Sequence, residues 1–324
     1  MDKYKVIITG RIMPPALAAL QEQCEVQQWN QAVAPQVSQL AEWLKDAEGL
    51  FVSTNIAVNE ELLAAAPKLR VIAQSAVGYD NIDIQACTNR KIPFGNTPGV
   101  LVETTADLAF GLLLTAARRI HEGWDWVRAG KWQPGFQLPL GVDLFGKTLG
   151  VVGMGAIGAA VARRAQASGM KVIYNNRRPR PDQAALNAEY CSFENLLTES
   201  DFIVVLTPLT PESRGMFGAK EFARMKTTAY FINAARGAVV DTQALYTALI
   251  EGQIAYAALD VTDPEPLPAD HPLIKLPNIL IAPHIGSATT ETRNRMALLA
   301  AENLLLGLAG KPLITCVNPE VNYR

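Results

Sequence analysis

The feature that most constrains the fold of this sequence is a regular alternation of short apolar runs with longer helical segments. In the N-terminal part, three apolar runs each precede a helical segment: "KVIITG" precedes 14–23, "GLFVST" precedes 59–66, and "LRVIAQSAVG" precedes 83–90. Strands and helices that alternate in this way form parallel sheets with helices on both faces. The N-terminal part is therefore predicted to be a doubly wound α/β unit.

A second series of strands begins after a long predicted helix, about 100–129, and a loop rich in glycine and proline. Its six apolar runs are "TLGVVGMGAIG", "KVIYNN", "DFIVVLTP", "AYFINAARG", "AYAALDV" and "NILIAPHIG". They predict a second doubly wound sheet. Too few residues follow the last helix, Thr290–Leu308, to form a third domain, so we expect this helix to return to the first. The predicted domains are a discontinuous one, 1–99 plus 288–324, and an inserted one, 100–287.

Composition and charge exclude several classes of partner. Of the 324 residues, 49% are hydrophobic and 19% charged, as in soluble globular proteins. The net charge of −2 provides no basic field, so neither duplex nucleic acid nor an anionic membrane is expected to bind. The cysteines are too scattered for a zinc or CxxC site; they are Cys24, Cys87, Cys191 and Cys316. Because the start also shows no export signal, we expect a cytoplasmic protein without a metal.

A glycine-rich turn in "GVVGMGAIG" leaves an apolar strand and enters a helix. In this context the GxGxxG spacing is typical of dinucleotide binding. Gly153 permits the tight turn, Gly155 admits the pyrophosphate close to the backbone, and Gly158 allows helix and strand to pack closely. The expected cofactor contacts of the turn are Gly153, Met154, Gly155, Ala156, Ile157 and Gly158. A tight turn that binds no ligand is the alternative interpretation.

The next strand ends in an unusual set of residues. Asn175 lies where a ribose-binding carboxylate would occur in an NAD site, about 20 residues beyond the turn. Here Asn176, Arg177 and Arg178 follow it instead. A carboxylate would repel a 2′-phosphate, whereas arginines pair with it. NADP(H) is therefore the predicted cofactor, with NAD(H) left open; the alternative is that "RRPR" is only a solvated basic turn.

Three polar residues end strands of the second series: Arg236, Asp260 and His284. Ligands bind at the carboxyl ends of strands in doubly wound sheets, and a charge there is costly unless it is paired or used. Glu265 lies in the stiff loop "DPEPL" after Asp260 and is placed to reach His284. We therefore expect these four residues to form one catalytic group.

These residue types suit reduction of a 2-keto acid by hydride. Hydride transfer to a ketone leaves an oxyanion that must be protonated, and histidine exchanges protons near neutral pH. Glu265 would orient His284 and favour its protonated form, while Arg236 would bind the carboxylate of the substrate.

Each of these four residues also has a structural interpretation. His284 would then be a bonded strand-end residue, Arg236 a cap or a partner of Asp241, Glu265 a solvated charge and Asp260 an N-cap. His121 and His271 are not accompanied by other candidate catalytic residues in the sequence, and they are predicted to lie at the surface.

With these residues assembled, the chain resembles the D-isomer-specific 2-hydroxyacid dehydrogenase family over essentially its full length. The matching segments are "SAVGYDNID", "NTPGVLVETTAD", "GVVGMGAIG", "FINAARGAVVD", "ALDVTDPEPL" and "APHIGSAT". The resemblance implies a Rossmann cofactor domain inserted in a discontinuous, flavodoxin-like substrate domain, an active site in the cleft between them, and a homodimer. It also implies that Arg236 binds substrate, that Glu265 and His284 donate the proton, and that Asp260 orients the nicotinamide.

The resemblance adds further site residues. It implies that the N–H groups of Val77 and Gly78 contact the substrate carboxylate. Residues expected along the cofactor are Thr105, Thr207, Pro208, Ala234 and Gly286. Arg293 is placed to reach a substrate hydroxyl or carboxylate, or is a helix-surface charge. Trp132 is an interface aromatic or shapes the mouth of the site, from the partner subunit in that case.

Within the family, the "NNRR" strand end, "HIGSATTETRNRM" and "ITCVNP" look most like the glyoxylate/hydroxypyruvate reductase B branch, whose members also reduce 2-ketogluconate. We therefore expect an NADPH-preferring reductase of glyoxylate, hydroxypyruvate and 2-ketogluconate. Two alternatives stay open at this point. One is oxidation of another small anion, formate or phosphite, on the same fold; the other is a dinucleotide-sensing binding protein similar to the family's corepressor members.

Overall fold

The computed structural model describes residues 3–31, 33, 35–135 and 138–321. It divides into two compact units. Unit 1 comprises Met1–Leu101 and Ser287–Arg324, and unit 2 is the continuous segment Val102–Gly286. The chain therefore leaves unit 1, completes unit 2 and returns.

Unit 1 is built on a five-stranded parallel sheet. Its strands are β1 (Tyr4–Ile8), β2 (Cys24–Gln28), β3 (Gly49–Val52), β4 (Val71–Gln74) and β5 (Phe94–Gly95). Its helices are α1 (Pro14–Gln23), α2 (Val37–Leu44), α3 (Glu60–Ala64), α4 (Ile84–Asn89) and α12 (Thr290–Leu308). The strand order β2-β1-β3-β4-β5 is the flavodoxin-like order, which changes direction between β1 and β3.

The central strands of unit 1 are apolar on both faces because helices cover both. Every residue of β3 and β4 is buried. On one face α12 packs with α1 through Ala297, Ala300 and Leu304, and α2, α3 and α4 contribute apolar side chains to the core on the other. A methyl group on Gly307 would lie 2.5 Å from Val71 Cγ2, so α12 approaches β4 closely. The last helix thus belongs to unit 1.

Unit 2 is built on a seven-stranded parallel sheet. Its strands are β6 (Thr148–Val152), β7 (Lys171–Asn175), β8 (Glu189–Tyr190), β9 (Phe202–Val205), β10 (Tyr230–Asn233), β11 (Tyr256–Leu259) and β12 (Ile279–Ile281). Its helices are α5 (Val102–Arg118), α6 (Ile120–Arg128), α7 (Ala156–Ala167), α8 (Gln183–Leu186), α9 (Phe193–Glu199), α10 (Ala219–Arg224) and α11 (Thr242–Ile250).

The strand order β8-β7-β6-β9-β10-β11-β12 is the Rossmann order extended by one strand. The predicted fold class, two doubly wound parallel sheets with a Rossmann-type unit, is confirmed. The order reverses between β6 and β9, which places the turn after β6 at the switch point where such sheets bind ligands.

The prediction of one continuous helix over 100–129 is wrong, because the structure has two helices there, α5 and α6. Arg119 has φ 54°, a left-handed conformation, and separates α5 from α6. Its side chain forms an ion pair with Glu122, one turn into α6. Three short strands, β2, β5 and β8, are also absent from the sequence-based prediction. Among the described residues, no helix is both long and apolar enough to cross a membrane.

The two histidines predicted at the surface are both half-buried. His121 lies in the first turn of α6, and its Nε2 lies 3.0 Å from the Tyr256 hydroxyl. Burial, together with nearby Glu122, raises the pKa of that tyrosine. His271 caps a short 3₁₀ turn, where its Nδ1 accepts a hydrogen bond from Leu273 N. Their neighbours in the fold give both residues structural contacts.

Candidate active site

The glycines in the turn after β6 are each needed for a different reason. Gly153 has φ +98°, and a Cβ there would lie 2.6 Å from Thr207 N. A Cβ on Gly158 would lie 2.5 Å from Gly153 O, so α7 meets the turn at contact distance. Both positions thus exclude a side chain because of the fold itself.

Gly155 differs, because a Cβ there would meet no atom within 4 Å. Gly155 and Ala156 are exposed, and α7 begins at Ala156 with no side-chain cap on its first N–H groups. A helix N-terminus of this kind binds anions through free N–H groups and the helix dipole. The open space and the uncapped helix fit the pyrophosphate of a dinucleotide.

The two asparagines at the end of β7 both have partners in the protein. Asn175 donates from Nδ2 to Cys191 O at 2.9 Å, which ties β7 to the segment after β8. Asn176 accepts from Met154 N at 2.7 Å and donates to Met154 O at 3.3 Å. Asn176 therefore fixes the peptide at the centre of the glycine turn, in addition to any contact with a cofactor.

Arg177 and Arg178 follow as exposed side chains. Within the described part of the chain, neither guanidinium forms an ion pair or a hydrogen bond with a side chain. Arg177 contributes to the lowered pKa of Glu212, whose main cause is a hydrogen bond from Thr210. Arg180, by contrast, is held by Asp182 and by a hydrogen bond to Met154 O at 3.1 Å. Two of the three arginines are thus available to a phosphate.

Arg236 follows β10 in a turn that Asn233 organises. The buried amide of Asn233 donates to Arg236 O at 3.0 Å and accepts from Ala235 N at 3.0 Å. Arg236 itself is half-buried and donates from Nη1 to Ala235 O at 2.9 Å. Asp241 is the N-cap of α11, with its carboxylate bonded to two N–H groups. Sequence reasoning missed Asn233, although a polar residue closing "YFIN" is a visible signal.

The turn that contains Arg236 is in tight contact with the loop that contains Glu265. A Cβ on Gly237 would lie 1.9 Å from Thr262 O. Thr262 N in turn donates to Glu265 Oε2 at 3.3 Å. Gly237 therefore sets the distance between the two loops, which sequence reasoning also missed because its effect acts through the backbone.

The predicted pair of Glu265 and His284 is present. His284 Nδ1 lies 2.6 Å from Glu265 Oε1, and both side chains are partly exposed. Burial opposes ionisation of Glu265, but the hydrogen bond and charge of His284, Thr262 N and nearby Arg236 together lower its pKa. His284 has φ +53°, a left-handed conformation that is uncommon for a residue with a side chain. Arg236, Glu265 and His284 therefore lie in one neighbourhood.

Asp260 fixes the backbone that follows His284. Its carboxylate accepts from Ile285 N at 2.7 Å and from Gly286 N at 2.8 Å, and its side chain is almost fully buried. Burial raises the pKa of Asp260, although these two N–H groups and His284 oppose that shift. In this structure Asp260 is thus a backbone anchor.

The other residues predicted along the cofactor occupy the same unit. A Cβ on Gly286 would lie 3.4 Å from the buried Thr105 side chain. Thr207 contacts the glycine turn, and exposed Pro208 follows it. Ala234 is half-buried and donates its N–H to Val205 O at 3.2 Å. All of these except Thr105 lie at or just beyond the ends of strands.

Four further predicted residues lie outside this group. Val77 and Gly78 are in unit 1, half-buried in the loop after β4. Arg293 is in the first turn of α12, also in unit 1. Trp132, in unit 2, is 78% exposed.

A Rossmann-type sheet, a glycine turn at an uncapped helix and an arginine beside a histidine–carboxylate pair are together the layout of a nicotinamide-dependent dehydrogenase. The profile of the family described as "D-isomer specific 2-hydroxyacid dehydrogenase, NAD binding domain" matches residues 110–286. The chain belongs to the D-isomer specific 2-hydroxyacid dehydrogenase family, and its cofactor is a nicotinamide dinucleotide.

Similar proteins cover the whole chain. A glyoxylate reductase of Korarchaeum cryptofilum is 47% identical over 98% of this chain and 97% of its own length. A glyoxylate/hydroxypyruvate reductase B of Escherichia fergusonii is 44% identical over 98% of this chain and 99% of its own. The crystal structure of an NADPH-dependent glyoxylate/hydroxypyruvate reductase of Sinorhizobium meliloti, in complex with NADP and malonate, superposes with a TM-score of 0.91. That protein is 33% identical, over 100% of this chain and 99% of that one.

Proposed function

We propose that this protein is an NADPH-preferring reductase of small 2-keto acids, which converts glyoxylate to glycolate, and hydroxypyruvate and 2-ketogluconate to D-2-hydroxy acids. The observation on which the proposal rests is the 2.6 Å contact of His284 Nδ1 with Glu265 Oε1 in the neighbourhood of Arg236. The names of the relatives, glyoxylate reductase and glyoxylate/hydroxypyruvate reductase B, support the choice of substrates.

Each catalytic residue has a separate task in this proposal. The reduced nicotinamide, when bound, supplies the hydride. Because Glu265 holds Nδ1 of His284, Nε2 is the ring nitrogen that donates a proton to the new alkoxide. Arg236 binds the carboxylate of the keto acid through its fork of N–H donors and polarises the carbonyl. Glu265 stabilises the protonated ring before the transfer and holds its orientation.

The remaining predicted residues have binding roles in the proposal. The N–H groups of Val77 and Gly78 bind the substrate carboxylate, and Arg293 contacts a hydroxyl or carboxylate of the substrate. The dinucleotide contacts are the turn 153–158 with Thr105, Asn176, Thr207, Pro208, Ala234, Asp260 and Gly286.

The preference for NADPH is proposed from Arg177 and Arg178. Both are exposed at the end of β7 and have no ion-pair partner among the described residues, so they are available to a 2′-phosphate. Replacement of both by alanine is expected to lower kcat/KM for NADPH at least tenfold and to leave that for NADH within about twofold. Equal losses with both cofactors would refute the assignment.

We also propose a homodimer that works in the cytoplasm. Three exposed apolar residues of α6, Ile120, Trp124 and Val127, share one helix face, and Trp132 and Leu140 are exposed beyond it. Contiguous apolar surface of this kind marks contacts between proteins. Light scattering should give twice the mass of the 35.1 kDa chain, and Trp124→Glu should give monomer. The reducing cytoplasm would suit four free cysteines.

The experiment that tests the function is a set of initial rates. NADPH oxidation, beside NADH, is followed with glyoxylate, hydroxypyruvate, pyruvate and 2-ketogluconate. Turnover that favours NADPH and the proposed acids over pyruvate supports the assignment. A protein that binds NADPH but turns over none of the four acids contradicts it.

A further inference from the structure

The loop after β4, residues 75–79, has three successive carbonyl groups bonded to the interior of unit 1. Ala76 O accepts from Thr97 N at 2.9 Å. Val77 O accepts from Asn96 Nδ2 at 2.9 Å. Gly78 O accepts from Gln74 Nε2 at 2.7 Å. Two of these three donors are side-chain amides, so the conformation of the loop depends on side chains as well as on backbone contacts.

The geometry of the peptide bond determines where the N–H groups of this loop lie. In a trans peptide, the C=O of one residue and the N–H of the next point in opposite directions. None of the peptides in this loop is cis. The N–H groups of Val77, Gly78 and Tyr79 therefore lie opposite the three bonded carbonyls, and within the described residues they have no hydrogen-bond acceptor. Adjacent free N–H groups form an anion-binding concavity.

The two amide donors are themselves fixed. Gln74 is fully buried, and its Oε1 accepts from Asn81 Nδ2 at 2.9 Å. Asn81 in turn donates to Ile56 O at 2.8 Å. Asn96 is 8% exposed, and its backbone carbonyl accepts from Thr315 Oγ1 at 2.6 Å. The side chain of Gln74 and the backbone that carries the Asn96 side chain are thus both held by the interior of unit 1.

We propose that Gln74 and Asn96 are positioning residues for the substrate carboxylate: their amides hold the carbonyls of Val77 and Gly78 inward and so direct the free N–H groups of Gly78 and Tyr79 toward the anion. The inference rests on the proposed function, because it takes the keto acid as the ligand of this loop. It assigns a binding task to two buried amides that contact no ligand themselves. A purely structural role for them would predict lower stability without a specific loss of anion affinity.

The test compares Gln74→Met and Asn96→Ala with wild type. Each variant removes one amide donor; methionine keeps the length of the Gln74 side chain, and water can replace the Asn96 donor at half-exposed Val77. KM for glyoxylate should rise about tenfold, the range of one hydrogen bond to a charged group. The inhibition constant of oxamate, an unreactive analogue, should rise equally. kcat and KM for NADPH should stay within about twofold, because the carboxylate is bound equally in ground and transition states.

Asn318 provides a matched control in the same unit. It is fully buried, accepts from Phe94 N at 2.9 Å and donates to Ile92 O at 3.0 Å, and among the described residues none of its hydrogen bonds goes to the loop 75–79. Asn318→Leu should lower the melting temperature and leave KM for glyoxylate unchanged.

Failure of the inference and failure of the function give different results. If wild type turns over glyoxylate but Gln74→Met and Asn96→Ala change KM no more than Asn318→Leu does, the positioning role is wrong and the function stands. If wild type turns over none of the four keto acids, the function is wrong and the inference falls with it. Should Gln74→Met not fold, Asn96→Ala alone decides between the two roles.

Discussion

The contact of Gly237 with Thr262 predicts that one added methyl group will disable the site. A Cβ at position 237 would lie 1.9 Å from Thr262 O, whereas real contacts of this kind are not shorter than 3.0 Å. The turn with Arg236 and the loop with Glu265 must therefore move apart by about 1.1 Å in Gly237→Ala. The three obstructing atoms, Thr262 O, Thr262 C and Asp263 N, all belong to the backbone, so no side-chain rotation relieves the clash.

The size of the effect follows from that displacement. A misplacement of about 1 Å between catalytic groups costs on the order of 10²-fold in rate. This corresponds to about 2.7 kcal/mol of activation free energy. Overpacking of a buried position typically costs about 1–3 kcal/mol of stability, so the folded state should persist. We therefore expect kcat/KM for glyoxylate to fall about 10²-fold in a protein that remains folded.

The assay combines three measurements on Gly237→Ala: steady-state kinetics, NADPH affinity from fluorescence and thermal unfolding. NADPH affinity should stay within about threefold, because the glycine turn follows β6, which β9 separates from β10 in the sheet. Gly111→Ala is the control, since a Cβ in that helical position meets no atom within 4 Å. It should be neutral or stabilising by up to about 1 kcal/mol. Normal kcat/KM in folded Gly237→Ala would refute the role of this contact.

Three further substitutions test other parts of the structure. His284→Asn retains a residue that tolerates φ > 0 and should lower kcat by about 10²–10⁴-fold with NADPH affinity unchanged; normal turnover would exclude it as the acid. Gly155→Ala should weaken NADPH binding without lowering the melting temperature, because its Cβ meets only open space; lowered stability would contradict this. Asp201 accepts from Thr148 N and Lys226, which lower its pKa despite burial. The ionised Asp201 carboxylate stabilises the fold above its ordinary pKa of 3.8. This stabilisation is lost as the pH falls through the lower pKa that Asp201 has in the folded state. Urea unfolding should therefore show Asp201→Asn less stable by about 1–2 kcal/mol at pH 7, with the gap closing below pH 4; a gap independent of pH would be contrary to the assignment.

The parts of the fold that were predictable are those buried on both faces. Central strands such as β3 and β9 are continuous apolar runs because helices cover them on two sides, and such runs stand out in a sequence. The three missed strands, β2, β5 and β8, are edge strands with one neighbouring strand each. The residues of β2 and β8 are largely polar and partly exposed, so composition does not distinguish these strands from loops. β5 is buried but has only two residues, too few to form a recognisable apolar run.

The break between α5 and α6 was unpredictable for a different reason. Neither glycine nor proline marks it; Arg119 adopts the left-handed conformation within an otherwise helical pattern. The ion pair with Glu122 and the contact of His121 with Tyr256 hold the new helix direction. Both contacts depend on the tertiary structure, which a local pattern does not contain.

In the candidate site, sequence reasoning identified the charged side chains at strand ends and missed the residues that shape the backbone. Arg236, Asp260 and His284 were predictable because a charged or titratable residue at the end of an apolar strand is conspicuous. Asn233 and Gly237 were missed, since one acts by bonding a turn and the other by lacking a side chain. Asn176 was predicted to contact the cofactor, and its visible contacts are with the peptide of Met154.

The discontinuity of unit 1 has a consequence for the order in which the protein is made. All five strands of its sheet are synthesised within the first 101 residues, but α12, which covers one face of β3 and β4, emerges last. Until then Val6, Phe51 and Val71 lack part of their apolar cover. Unit 2 is one continuous segment, and all its strands and helices are synthesised before α12. On the ribosome, the inserted unit can therefore complete its core before α12 is available to the first unit.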